Sequence, residues 1–123
     1  MILVDTSVWI DHFRSTDAAL ARCLHQGSVL MHPFVLGELA LGNLRQRKLI
    51  LKSLALLPHV TVADQAEIMD FISAANLAGS GIGYIDAHLL AACRLTRPAL
   101  LWTRDKRLRS VAENLALAVP NRG

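Results

Sequence analysis

The sequence predicts an α/β fold, with helices covering both faces of a central and mainly parallel sheet. Three observations carry this. Ile2, Leu3 and Val4 form a short unbroken apolar run, the pattern of a strand buried on both faces. Strand-like and helix-like segments then alternate along the chain, as parallel strands joined by crossover helices require. The chain has 123 residues, of which 53% are apolar and 19% charged, which suits one domain with a real core and argues against disorder. A single domain over residues 1–123 is expected.

After the first strand, Thr6 to Arg14 reads as a helix. Asp17 to Gln26 is a second, with Asp17 as cap, Leu20, Cys23 and Leu24 as its apolar stripe and Gly27 as its end. Ser28 to His32 reads as a strand. Pro33 suits the first turn of a helix over Pro33–Asn43, stopped by Gly42 and Asn43. A helical run from Arg45 to Leu57 is closed by Pro58. His59 to Ala63 alternates like a strand. Asp64 to Ala78 is a helix opening with Asp64 and Glu67 in capping-box spacing. Gly79 to Gly83 is a flexible connector, Tyr84 to Leu95 a helix and Ala99 to Thr103 a strand. Lys106 to Leu115 is a basic helix, and Ala116 to Val119 a last short strand.

The formal net charge is +3 and the sequence pI about 9.3, a lean towards a polyanionic partner. Cys23 and Cys93 lack CxxC spacing and read as reduced core thiols of a cytoplasmic protein. The opening residues lack the basic leader and long apolar region of a signal peptide. No apolar stretch approaches the roughly 20 residues of a membrane helix. The five histidines show no zinc-like grouping and read as surface or edge residues, His88 facing another side of its helix from Asp86. Trp9 and Trp102 read as core. Gly79, Gly81 and Gly83 are neither a dinucleotide fingerprint nor a P-loop.

Of the ten acidic residues, Asp17 and Asp64 read as helix caps, and Asp11, Glu67, Asp70 and Glu113 as solvated helix positions. Four are harder to dismiss. Asp5 ends the first strand, where ligand crevices of open α/β sheets lie, although an Asp there also caps the following helix. Glu38 lies in an otherwise almost wholly apolar helix, where an unpaired carboxylate is costly. Asp86 sits in a first helical turn, a position the helix dipole also favours. Asp105 follows the strand Leu100-Leu101-Trp102 with Thr103 before it, repeating the acid-plus-hydroxyl ending of Asp5 and Thr6. Carboxylates brought to one point repel unless a cation neutralises them. Oxygen-only ligands suit Mg²⁺ or Mn²⁺, ions that bind phosphate oxygens and activate water. A basic surface around them makes a nucleic-acid phosphodiester the natural substrate. Arg104, Lys106 and Arg107, which flank Asp105 in sequence, are the candidate phosphate contacts.

Four segments carry a family resemblance: V-D-T-S at Val4–Ser7, G-E-L-A-L-G at Gly37–Gly42, I-D-A-H-L-L-A-A at Ile85–Ala92 and L-W-T-R-D at Leu101–Asp105. In order and spacing the chain resembles a PIN-domain ribonuclease, specifically the VapC-type toxin of bacterial toxin–antitoxin pairs. The resemblance implies a three-layer αβα sandwich and an acidic metal site of Asp5, Glu38, Asp86 and Asp105. It implies hydroxyl support from Thr6, with Ser7 as the second choice, and from Thr103. It also implies a homodimer, a VapB-type antitoxin whose tail lies over the active-site groove, and RNA hydrolysis by metal-activated water. Two other readings compete. One is a non-catalytic protein whose acidic groove holds a partner's arginines. The other is a metal-dependent phosphatase or a receiver domain; Ser7 stands where the phosphatase wants its second Asp, and a lone Asp5 stands where the receiver wants paired acids.

Overall fold

The computed structural model of the protein describes residues 1–120, so the last three positions of the expected domain lie outside the described residues. Three parallel strands form the sheet: β1 (Ile2–Val4), β2 (Val29–Leu30) and β3 (Leu100–Trp102), in the order β2-β1-β3. Ile2 pairs with Val29 and Leu100, Leu3 with Leu30 and Leu101, and Val4 with Trp102. The apolar run at the amino terminus is therefore the middle strand, and Leu3 and Val4 are fully buried.

Among the described residues seven helices complete the αβα architecture: α1 (Thr6–Arg14), α2 (Ala18–His25), α3 (Pro33–Leu41), α4 (Arg47–Ala55), α5 (Gln65–Ala74), α6 (Tyr84–Leu95) and α7 (Lys106–Asn114). Helix α1 packs on α3 and α3 on α4, while α5 packs on α6 and α6 on β3. Helix α6 is the most deeply set, with every residue from Ala87 to Cys93 buried. A main core surrounds β1, and a smaller cluster of Ala63, Ile68, Leu77, Ala87 and Ala91 seals α5 against α6. Both cysteines are free and buried, and burial pushes the Cys93 thiol up to about 12, which keeps it protonated and inert.

Two expected strands shrink. Within His59–Ala63 only His59 makes a parallel bridge, to Met31, and within Ala116–Val119 only Ala118 does, to Leu101. After Val60 the Thr61 N–H donates instead to Thr96 Oγ1 (2.8 Å), and the chain leaves the sheet for the α5 capping box, where Asp64 and Glu67 exchange side-chain and backbone bonds. Helices also end earlier than expected. Helix α5 stops at Ala74 because Asn76 takes a left-handed turn (φ 58°), and α4 starts only after Gln46 (φ 52°). Two histidines expected at the surface are core: His32 is 0% exposed and His88 5%. His32 caps α3, its Nδ1 accepting from Phe34 N–H (3.0 Å). His88 falls within the buried run of α6 and meets Phe34 and Tyr84 edge to face.

Candidate functional site

Because Val4 pairs with Trp102, the next residues on the two strands, Asp5 and Thr103, emerge side by side. The ladder continues one step further, with Asp5 N–H donating to Trp102 O (2.9 Å). Both residues are buried. Asp5 caps α1 through Oδ1, which accepts from Thr6 N–H (2.8 Å). Its Oδ2 accepts from Ser7 Oγ (2.8 Å) and Thr103 Oγ1 (2.7 Å). Helix capping and the hydroxyl contacts of the candidate site thus coexist on one side chain, whose orientation is fixed by three donors.

The network runs on from both hydroxyls. Thr103 Oγ1 accepts from Asp105 N–H (3.0 Å), and Asp105 caps α7 by accepting from Leu108 N–H (2.9 Å). Ser7 Oγ accepts from Arg104 N–H (3.1 Å). On the other flank Thr6 Oγ1 donates to Glu38 Oε1 (2.7 Å), tying α1 to α3. The sequence ranks Thr6 above Ser7 as the supporting hydroxyl; both are engaged, Thr6 on Glu38 and Ser7 on Asp5. An Asp followed two residues later by Ser at a helix start was the available signal for Ser7.

Asp86 completes the set from the first turn of α6, accepting from Gly83 N–H at 3.3 Å. Burial is the main cause that raises its pKa, and the negative charges of Asp5, Asp105 and Glu38 raise it further, against the Gly83 bond. All four predicted acids therefore share one electrostatic neighbourhood. Among the described residues, however, no three His, Cys, Asp or Glu side chains form a ready-made chelate. The donor set fits a hard divalent cation in kind: it is all oxygen, and Glu38 Oε2, Asp86 Oδ1 and Asp105 Oδ2 carry no hydrogen bond among the described residues.

Of the basic candidates, Arg104 differs from expectation. Its Nε pairs with Asp11 (2.6 Å) and its Nη2 with Asp17 (2.8 Å), so its guanidinium braces α1 and α2 against the β3–α7 turn rather than awaiting a phosphate. Asp11 and Asp17, from separate helices, are brought to it only by the fold. Lys106 and Arg107 instead line a cavity of about 620 Å³ together with Asp86 and Asp105. A second groove of about 670 Å³ borders Glu38 and is lined by Ile10, Phe13, Leu44 and Ile50 with Arg14 and Arg45 at its polar edge.

The PIN-domain profile matches residues 2–114. The chain belongs to the PIN-domain family. The match spans all four acids and both hydroxyl-bearing strand ends. Two relatives, Ribonuclease VapC32 of Mycobacterium tuberculosis strains CDC 1551 / Oshkosh and ATCC 25618 / H37Rv, are each 43% identical to it over 119 residues. That covers 97% of this chain and 96% of either relative. Within the PIN family the chain thus falls with the VapC-type members. No described helix is long and apolar enough to cross a membrane.

Proposed function

We propose that this PIN domain is a VapC-type toxin that hydrolyses RNA phosphodiester bonds with the help of Mg²⁺ or Mn²⁺. The convergence of Asp5, Glu38, Asp86 and Asp105 at the carboxyl edge of the sheet carries the reading, expressed in the raised pKa of Asp86 beside three other acids. The 43% identity to relatives named as ribonucleases supports it.

Asp5, Glu38, Asp86 and Asp105 would hold the cation. Once bound, it supplies positive charge to the scissile phosphate and acidity to a water. Thr103 and Ser7 hold the Asp5 carboxylate, Thr6 orients Glu38, and Asp105 is oriented through its own N–H on Thr103, so these are the oxygens that would face the cation. Lys106 and Arg107 attract the RNA backbone to this edge. Among the described residues neither is in an ion pair. The same acidic centre and adjoining groove suit an arginine-bearing VapB-type antitoxin, and a homodimer acting in the cytoplasm completes the proposal.

The test is cleavage of a mixed RNA pool by purified, partner-free protein with Mg²⁺, with Mn²⁺ and with EDTA, beside an Asp5→Asn control. Metal-dependent cuts absent from the control are expected. A folded protein that binds antitoxin but cuts no RNA under any of these conditions would instead favour the non-catalytic acidic-groove reading.

A further inference from the structure

The loop after α5 reaches the acidic centre with Gly81, Ile82 and Gly83, and Gly81 meets Arg107 there. Gly81 has φ +87°, and a Cβ placed on it would fall 2.7 Å from both Cδ and Nη1 of Arg107. Arg107 lies across that bare backbone, its Nη1 donating to Gly81 O at 3.5 Å. Both residues line the cavity that also contains Asp86, Asp105, Lys106 and Ser110. This cavity is bipolar: two carboxylates at the acidic centre, two cations and a hydroxyl beside them. Opposite charges so close would be expected to neutralise each other, yet the ion pairs among the described residues are Arg104–Asp11, Arg104–Asp17 and Arg109–Glu113. Lys106 and Arg107 are left for another anion. They open α7, whose amino end adds partial positive charge.

We infer that Gly81 is a positioning residue which seats the Arg107 guanidinium as a subsite, with Lys106 and Ser110, for an RNA backbone phosphate flanking the one that is cut. The inference rests on the proposed nuclease function. A planar guanidinium is suited to two phosphate oxygens at once, but only if its orientation is held. The bare Gly81 surface does this, whereas any side chain there displaces the arginine.

The glycine loop supplies its own control. Gly79 also has a positive φ (+76°), but a Cβ there meets nothing within 4 Å. Gly79→Ala and Gly81→Ala therefore carry similar backbone strain, and only the second disturbs Arg107. The experiment measures binding of a labelled random-sequence single-stranded RNA to the cleavage-deficient Asp5→Asn protein across a salt series, with cleavage and thermal melting followed in the otherwise native chain. Arg107→Ala is expected to weaken binding several-fold and to lower the log–log salt slope by about 0.7, the loss of one single-strand phosphate contact. Gly81→Ala should reproduce both changes, Gly79→Ala neither, and Gly81→Ala should add nothing in an Arg107→Ala background. Equal effects of the two glycine substitutions, or additivity with Arg107→Ala, would overturn the seating role. Loss of cleavage in Arg107→Ala with an unchanged salt slope would overturn the phosphate subsite and make Arg107 a counter-charge for Asp86 and Asp105. If the native chain cleaves no RNA, the nuclease reading itself fails, a result distinct from either.

Discussion

Asp5 and His32 are both buried just past the ends of neighbouring strands, yet their surroundings are opposite. Asp5 accepts three hydrogen bonds, two of them from hydroxyls. His32 uses Nδ1 to cap α3, but its Nε2 has no partner, and neither has Nδ1 of His88, whose ring lies 6.3 Å away. Burial, helped by the positive charge that His88 and His59 would carry, depresses His32 to about 4. One side chain has donors on both of its oxygens; the other cluster stays in the core only by remaining uncharged. A carboxylate must be fully matched when buried, while a neutral imidazole survives with one polar atom unmatched. The acidic cluster belongs to the candidate site, and the neutral one supports the helices that carry Glu38 and Asp86.

The largest effect that would break this contrast is Asp5→Asn. Cleavage of an RNA pool should fall by more than the roughly 100-fold that loss of an outer-shell partner costs, while circular dichroism stays native-like and stability in melts drops by about 1–3 kcal/mol, because the amide cannot accept from both Ser7 and Thr103. Cutting at the native rate would remove Asp5 from the site.

Next comes the neutral cluster. Because the folded pKa of His32 lies below its ordinary value of 6.5, the unfolded chain takes up a proton in this range that the folded chain refuses. Its contribution is full above about pH 6.5 and is lost as pH falls towards 4, on the order of 3 kcal/mol across the window. Urea melts at pH 7 and pH 4.5 should show a steeper loss in the native chain than in His32→Asn, which keeps a capping acceptor. Parallel pH profiles would mean that His32 is not held neutral.

Thr103→Val sharpens the charged side. It leaves Asp5 Oδ2 one donor short and Asp105 N–H without an acceptor, which should cost about 1–3 kcal/mol in denaturant melts and about 10–100-fold in cleavage. Native-like values in both would make the hydroxyl incidental. The smallest effect belongs to Arg104→Ala. Its ion pairs with Asp11 and Asp17 are partly exposed, so stability should drop by about 1 kcal/mol or less, and the salt slope of RNA binding should not change.

The charged cluster was legible in the sequence and the neutral one was not. Asp5 stands out because an apolar strand stops on it, and Asp105 because Thr103 and Asp105 repeat the pattern one strand over. Glu38 is conspicuous in a helix of Phe, Val and Leu. These are contrasts between a residue and its immediate neighbours, which a sequence displays. The burial of His32 is set by what packs over the end of β2, and imidazole is an unusual helix cap. A signal for His88 did exist: apolar residues surround it on every side of α6, which marks a helix buried all round. Arg104 eluded the sequence for a different reason. Its partners lie on α1 and α2, far along the chain, so it looked like a free cation. The shortened strands at His59 and Ala118 follow from competition, since alternation predicts an extended chain but not whether a neighbour remains to pair with it.

The placement of β1 has a consequence for how the protein is made. β1 precedes both of its neighbours in the chain yet forms the middle of the sheet, and the bond from Thr103 to Asp5 closes a span of 98 positions. Until β3 has been translated, Asp5 lacks that donor, and Asp105 does not yet exist. A partly synthesised chain, or one cut short before β3, holds some of the acids but cannot bring them together. Under the proposed function, the acidic centre is therefore complete only once β3 is in place, and a fragment ending before it should cut no RNA.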